Sequence, residues 1–292
     1  HTYRSFDPRV FDKAGYRIFA LGTSAQSPLQ TELLVKRYLK KLKPSLVVLE
    51  VYPVMFAIDG AESAVDVLAN DVKDIYSLKM ALNEHSFIVY NTMFYSFYRN
   101  IMDSTVKVEE DWNFLGDKYI AGGFVQKKLS YFKKEKFNDV TLSIFGIQQK
   151  AFKRVIDFLK KQGISFVIVQ TPITKNLFKH IKSTHFFDST MSCFGEYRNF
   201  NHNSNLNDSL HFYDAEHLNQ NGAELFDNIF IVLCHFSANR FLWILASLET
   251  IFIASKHAIA GKQLCLLRFL GLAIFVSSYV FHCLGLLHGI KN

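Results

Sequence analysis

The sequence predicts an α/β domain with a mostly parallel sheet, followed by an apolar helical tail. Three observations carry that prediction. Short apolar runs alternate with segments of helical period over residues 1–233. The second of those runs, Leu46-Val47-Val48-Leu49-Glu50-Val51, is continuous rather than alternating, as in strands buried on both faces. The charge balance then changes after residue 234: residues 235–292 hold five Lys/Arg (Arg240, Lys256, Lys262, Arg268, Lys291) and the single acid Glu249.

Taken in order, Arg17-Ile18-Phe19-Ala20-Leu21 is apolar and closed by Gly22, which predicts a strand and a turn. Pro28 to Leu42 places Leu29, Leu33, Leu34, Tyr38, Leu39 and Leu42 on one helical face. Pro28 suits its first turn. With Leu46–Val51 this makes a predicted βαβ unit. Asp59-Gly60 and Glu62-Ser63 read as a turn and a helix start. Residues 75–102 read as one or two aromatic-rich helices, and 105–128 as a long loop or excursion. Phe145 to Lys161 is amphipathic, Gly163 ends it, and Ile164–Val169 is a third strand. Residues 183–208 read as irregular, and Leu218 to Phe230 as the last helix. In such sheets chemistry sits at the carboxyl ends of the strands.

Composition excludes several classes. The 292 residues carry 33 Lys+Arg against 26 Asp+Glu, a formal +7, with no long basic run to argue for nucleic acid. A hydrophobic share of 49% excludes a disordered chain. Four cysteines exclude a disulfide scaffold, and no CxxC or Cys/His spacing points to zinc or any other metal. No cofactor motif appears. The first residue is His1, and no charged-then-apolar signal peptide opens the sequence.

Two segments could carry chemistry. In Tyr213-Asp214-Ala215-Glu216-His217-Leu218-Asn219, an Asp three residues before a His can hold Nδ1–H and leave Nε2 as a base. Equally, Asp214 and Asn219 can be turn and cap residues beside a surface histidine. In Leu21-Gly22-Thr23-Ser24-Ala25-Gln26-Ser27-Pro28, backbone N–H groups before a helix could hold an oxyanion, and Ser24 could be a nucleophile. Equally, this is a tight turn with Ser27 as N-cap. His85 reads as a packed or surface histidine. The aromatics Tyr90, Phe94, Tyr95, Phe97 and Tyr98 read as core or packing surface, with a carbohydrate platform as the functional alternative.

The order of these segments resembles the Ser-Gly-Asn-His (SGNH) hydrolases, also called the GDSL family. More narrowly, it is similar to bacterial cell-surface members found beside polysaccharide acyltransferases. The resemblance rests on Phe6-Asp7-Pro8-Arg9-Val10-Phe11, Leu21–Pro28, Lys43–Pro53 and Asp214-Ala215-Glu216-His217-Leu218-Asn219, and covers residues 1–233. It implies a three-layer αβα, flavodoxin-like fold and acyl transfer through a serine ester. His217 would be the base, Asp214 its orienter and Gly22 N–H an oxyanion donor. The family's nucleophile follows the first strand, and His1-Thr2-Tyr3-Arg4-Ser5-Phe6-Asp7-Pro8 resembles what comes after it. The expectation is therefore that the first strand and the serine lie upstream of His1, with Ser24 as the fallback nucleophile. The family's Asn after the third strand is missing: the strand ends Glu50-Val51-Tyr52-Pro53, where Tyr52 is the available donor.

The implied substrate is an O-acyl group on extracytoplasmic polysaccharide at the bacterial cell envelope. The implied partner is a membrane-bound O-acyltransferase. The alternative class is a non-catalytic relative that binds glycan or that acyltransferase. The tail residues 269–287 hold 19 residues without formal charge, spanning roughly 28 Å as a helix, near the hydrocarbon thickness. They predict a membrane contact, against the alternative of a helical hairpin packed on the domain.

Overall fold

The computed structural model describes residues 1–101, 113, 115–202 and 205–233, with no side-chain description for 99–101. The tail prediction for 234–292 lies outside the described residues. Residues His1–Ile231 form one unit of packing. Among the described residues, no helix is long and apolar enough to cross a membrane.

The unit opens with two short helices, α1 (Thr2–Ser5) and α2 (Pro8–Lys13). Asp7 caps α2, accepting from Arg9 N–H, and Pro8 takes the first turn. Helix α3 (Pro28–Leu42) starts at Ser27 in a capping box with Gln30, as the Ser-x-x-Gln spacing favours. Strand β1 (Leu46–Glu50) follows, and Pro53–Phe56 makes a single 3₁₀ turn at its end. Helices α4 (Ala61–Asn70), α5 (Ile75–Glu84) and α6 (Phe87–Ile101) come next. Then β2 (Asp117–Ile120) and β3 (Phe124–Lys127) pair as an antiparallel hairpin. Helix α7 (Gly146–Lys161) leads to β4 (Ser165–Gln170). After α8 (Lys175–Phe178) and α9 (Thr184–Ser192) comes β5 (Tyr197–Asn199). Helix α10 (Asp208–His211) and a last helix, α11, over 220–233 complete the unit.

The main sheet is parallel throughout, in the order β1-β4-β5. Leu46 to Glu50 pair in register with Ser165 to Val169, and Ile168 to Gln170 with Tyr197 to Asn199. The apolar period of α3 and α7 buries Val35, Leu39, Phe152, Val155, Ile156 and Leu159 against Leu49, Ile168 and α9's Phe187 and Met191. A second core joins α3 to α4, α5 and α6 through Leu33, Leu34, Leu68, Met80 and Val89.

Several expectations need correction. Arg17–Leu21 forms no strand: a strand requires a paired edge, and this segment's link to a neighbour is Ala20 N–H donating to Gly122 O. The predicted βαβ unit therefore lacks its first strand. The approach there is close enough to require glycine, because a Cβ on Gly123 (φ +87°) would sit 2.2 Å from Ala20 O. The excursion at 105–128 contains the β2–β3 hairpin. Residues 183–208 are not irregular but hold α9, β5 and the start of α10. The α6 aromatics are mostly not core: Phe87, Phe94, Tyr95, Phe97 and Tyr98 are exposed.

Candidate active site

The residues brought together at the carboxyl end of the sheet come from both ends of the described chain. Strand β1 delivers Glu50, and Tyr52 follows two residues on. The loop 212–218 delivers Asp214, Glu216 and His217. It is closed by a bridge between Phe212 and Leu218 and by Tyr213 N–H donating to His217 O at 3.1 Å. Thr174 pins it from outside, donating both its N–H (3.0 Å) and its hydroxyl (2.9 Å) to Ala215 O. Asn219 anchors its exit. The buried Asn219 amide donates to Ser130 O and Leu210 O, and its oxygen caps α11 by accepting from Gly222 N–H.

Asp214 does two jobs. Its Oδ1 accepts from Glu216 N–H (2.8 Å) and His217 N–H (2.7 Å), which makes the turn. Its Oδ2 lies 2.9 Å from His217 Nδ1. The turn reading and the His/Asp-pair reading are thus both satisfied by one carboxylate. Burial works to raise its pKa, but the hydrogen bonds and charge of His217 outweigh that and hold Asp214 below the usual carboxylate range. The His217 ring is stacked between Tyr213 (centroids 5.5 Å apart) and His1 (4.8 Å). With Nδ1 facing Asp214, Nε2 is the nitrogen left without a hydrogen bond among the described residues.

Tyr52 does not offer its hydroxyl to the cleft in this arrangement. It is 2% exposed and donates to Glu216 Oε1 at 3.1 Å. Burial, then the Glu216 charge, pushes the phenol far up, so it stays protonated. Burial also raises Glu216, with the Asp214 charge adding to it. Glu50 accepts from Thr171 Oγ1 (3.0 Å) and Thr2 Oγ1 (3.5 Å), and burial raises its carboxyl as well. The His1 backbone nitrogen feels all three carboxylates, Glu50, Glu216 and Asp214.

Ser24 and Gly22 line the same cleft. The cleft has a volume of about 880 Å³ and runs along β1, with Arg17–Ala25 opposite. Ser24 Oγ donates to Glu62 at 2.9 Å, and no hydrogen bond joins it to His217. Gly22 faces Tyr3, whose ring a Cβ would meet at 3.0 Å. Residues of the sequence-predicted pair, Asp214 and His217, are therefore together, while Ser24 is engaged with another partner.

Sequence reasoning missed Glu50, Glu216 and His1 as members of the site. Glu216 lay inside the quoted motif, and its signal was an acid directly beside the candidate base. No family model, curated protein or solved structure matches the chain.

Proposed function

We propose that the chain is an SGNH-type serine esterase or acyltransferase acting on O-acyl groups of extracytoplasmic polysaccharide at the bacterial cell envelope. The observation that carries this reading is the Asp214–His217 pair, with Nδ1 held and Nε2 left open at the carboxyl end of a parallel sheet. In the reaction, Nε2 takes the serine proton, the oxygen attacks the acyl carbonyl, and Asp214 stabilises the imidazolium. Gly22 N–H is the assigned oxyanion donor. His217 gives that proton to the departing sugar alkoxide as the serine ester forms; water or a sugar hydroxyl then gives its proton to Nε2 and takes the acyl group, and His217 returns the proton to the released serine oxygen. A membrane-bound O-acyltransferase is the proposed partner.

The finer topology proposed is the three-layer αβα, flavodoxin-like fold. In it a further parallel strand lies beside β1, in the cleft that faces Arg17–Leu21. What supports this is that strand β1 ends the sheet, its other edge unpaired among the described residues.

The test is fluorophosphonate labelling of the full-length gene product. Labelling that falls at least about 100-fold in His217→Ala is expected, in line with loss of a general base. No labelling of intact, folded protein would overturn the esterase reading. The exposed aromatic face of α6 (Phe94, Tyr95, Phe97, Tyr98) favours a second reading for that outcome: a non-catalytic relative that binds glycan or an acyltransferase.

A further inference from the structure

We propose that His1, Glu216 and His217 form a binding site for a divalent transition-metal cation of the zinc class. One ligand atom from each lies within 4.8 Å of the others. The donor set, two imidazoles and one carboxylate, is one that zinc and neighbouring first-row metals accept. Metal–ligand distances of about 2.0–2.2 Å bring tetrahedral ligands to about 3.4 Å apart, so inward side-chain rotation of about an ångström closes the set.

Two further features fit ligation. Asp214 Oδ2 sits 2.9 Å from His217 Nδ1, which turns the lone pair of Nε2 outward. Metal-bound histidines are oriented in this way by a carboxylate behind them. Glu216 is likewise held from behind by the Tyr52 hydroxyl at 3.1 Å. Among the described residues the His1 imidazole makes ring contacts with Tyr52 and His217 but no hydrogen bond, so its nitrogens are available. All three ligands lie on the cleft wall, and three protein ligands leave the fourth tetrahedral position for water or a small anion.

The site does not depend on the esterase reading. It uses the same lone pair of His217, so a cation there and a serine proton at Nε2 exclude each other. Zinc would then act as a reversible blocker of base catalysis in an active protein.

The experiment uses Co²⁺ followed by visible absorption, with Zn²⁺ displacement measured by calorimetry. The protein is the full chain with the His1 amino group acylated, so that only its imidazole can ligate. One equivalent of Co²⁺ with tetrahedral absorption bands is expected. His1→Ala, His217→Ala and Glu216→Gln should each weaken binding at least tenfold. Glu216→Gln keeps an acceptor for Tyr52 and so guards against misfolding as the cause. Asp214→Asn, acting from behind His217, should cost about 10–100-fold. Absence of stoichiometric binding would overturn the proposal. So would binding that appears only with the amino group free, or binding that all three ligand variants retain. None of these readouts depends on catalysis, so failure of the esterase assay leaves the result intact.

Discussion

Replacing Asp214 by Asn isolates what this carboxylate does to His217. The amide oxygen can still accept the Glu216 and His217 backbone N–H groups, now at 2.8 and 2.7 Å, so the turn is retained. The amide nitrogen, however, replaces the oxygen that faces Nδ1 at 2.9 Å. An N–H donor there repels an Nδ1–H and favours the tautomer with the proton on Nε2. A hydrogen bond to a charged partner contributes about 1.5–3 kcal/mol. The Asp214 side chain is 46% exposed, so solvent screening selects the lower end, about 1.5 kcal/mol, or roughly a tenfold shift in tautomer ratio. The assay is two-bond ¹H–¹⁵N correlation of histidine-labelled protein, run above the imidazole titration. Wild type should show His217 protonated on Nδ1 and the variant on Nε2, with an unchanged fold by circular dichroism. A wild-type His217 already protonated on Nε2 would refute the orientation argument, as would a variant whose tautomer does not move. The readout needs no nucleophile and no substrate.

Two stability predictions rest on buried ionisable groups away from the site. Arg37 is 4% exposed at its side chain and bonds Asp71 (2.5 Å), Asp74 (2.6 Å) and Ser77 (2.6 Å), joining α3 to α5. Arg37→Met strands two carboxylates. Breaking a buried pair costs about 3–5 kcal/mol, and the 20% and 28% exposure of the two acids selects the lower end. Urea denaturation should therefore show a loss of about 3 kcal/mol, and a loss under about 1 kcal/mol would mean that the Arg37 ion pairs are not buried in solution. Asp227 is fully buried, accepts Asp7 N–H at 2.8 Å, and is pushed up to about 9 by burial. The folded state then keeps a proton that the unfolded chain gives up near pH 3.9, so folding binds protons between those values. Stability should fall as pH rises through that window, by up to about 1.4 kcal/mol per unit. Asp227→Asn should flatten the dependence, and an unchanged slope of urea midpoint against pH would rule the assignment out.

The parts of the fold that periodicity describes were legible in the chain. Helices α3 and α7 show their buried stripe directly, and β1 and β4 are apolar runs bounded by turn signals. Arg17–Leu21 has the same local signature as β1 and is not a strand. The difference lies in the partner: β1 has β4 along one edge, while Arg17–Leu21 has no strand beside it among the described residues. Strand β5 was illegible for the opposite reason. Tyr197-Arg198-Asn199 has no apolar signature, and three residues suffice because β4 supplies the edge. Asp214 and His217 were legible because three residues of spacing encode their contact. The Tyr52–Glu216 bond spans 164 positions and the His1–His217 stack 216, so only the tertiary fold could show them.

Local geometry at His217 does not choose between base and ligand. Both roles need Nδ1–H held and Nε2 bare, and Asp214 supplies that in either case. The choice is made by what else reaches Nε2. A ligand oxygen of Glu216 lies within 4.8 Å of a His217 ring nitrogen, and Glu216 Oε1 is tied to a buried phenol whose burial prevents ionisation. A base waiting for a serine needs no such tether, and a second carboxylate beside it would hold the proton that must later leave. A cation is favoured by a carboxylate ligand and by the hydrogen bond that orients it. The Tyr52–Glu216 bond is thus the feature of this site that acyl transfer leaves unexplained and cation binding uses.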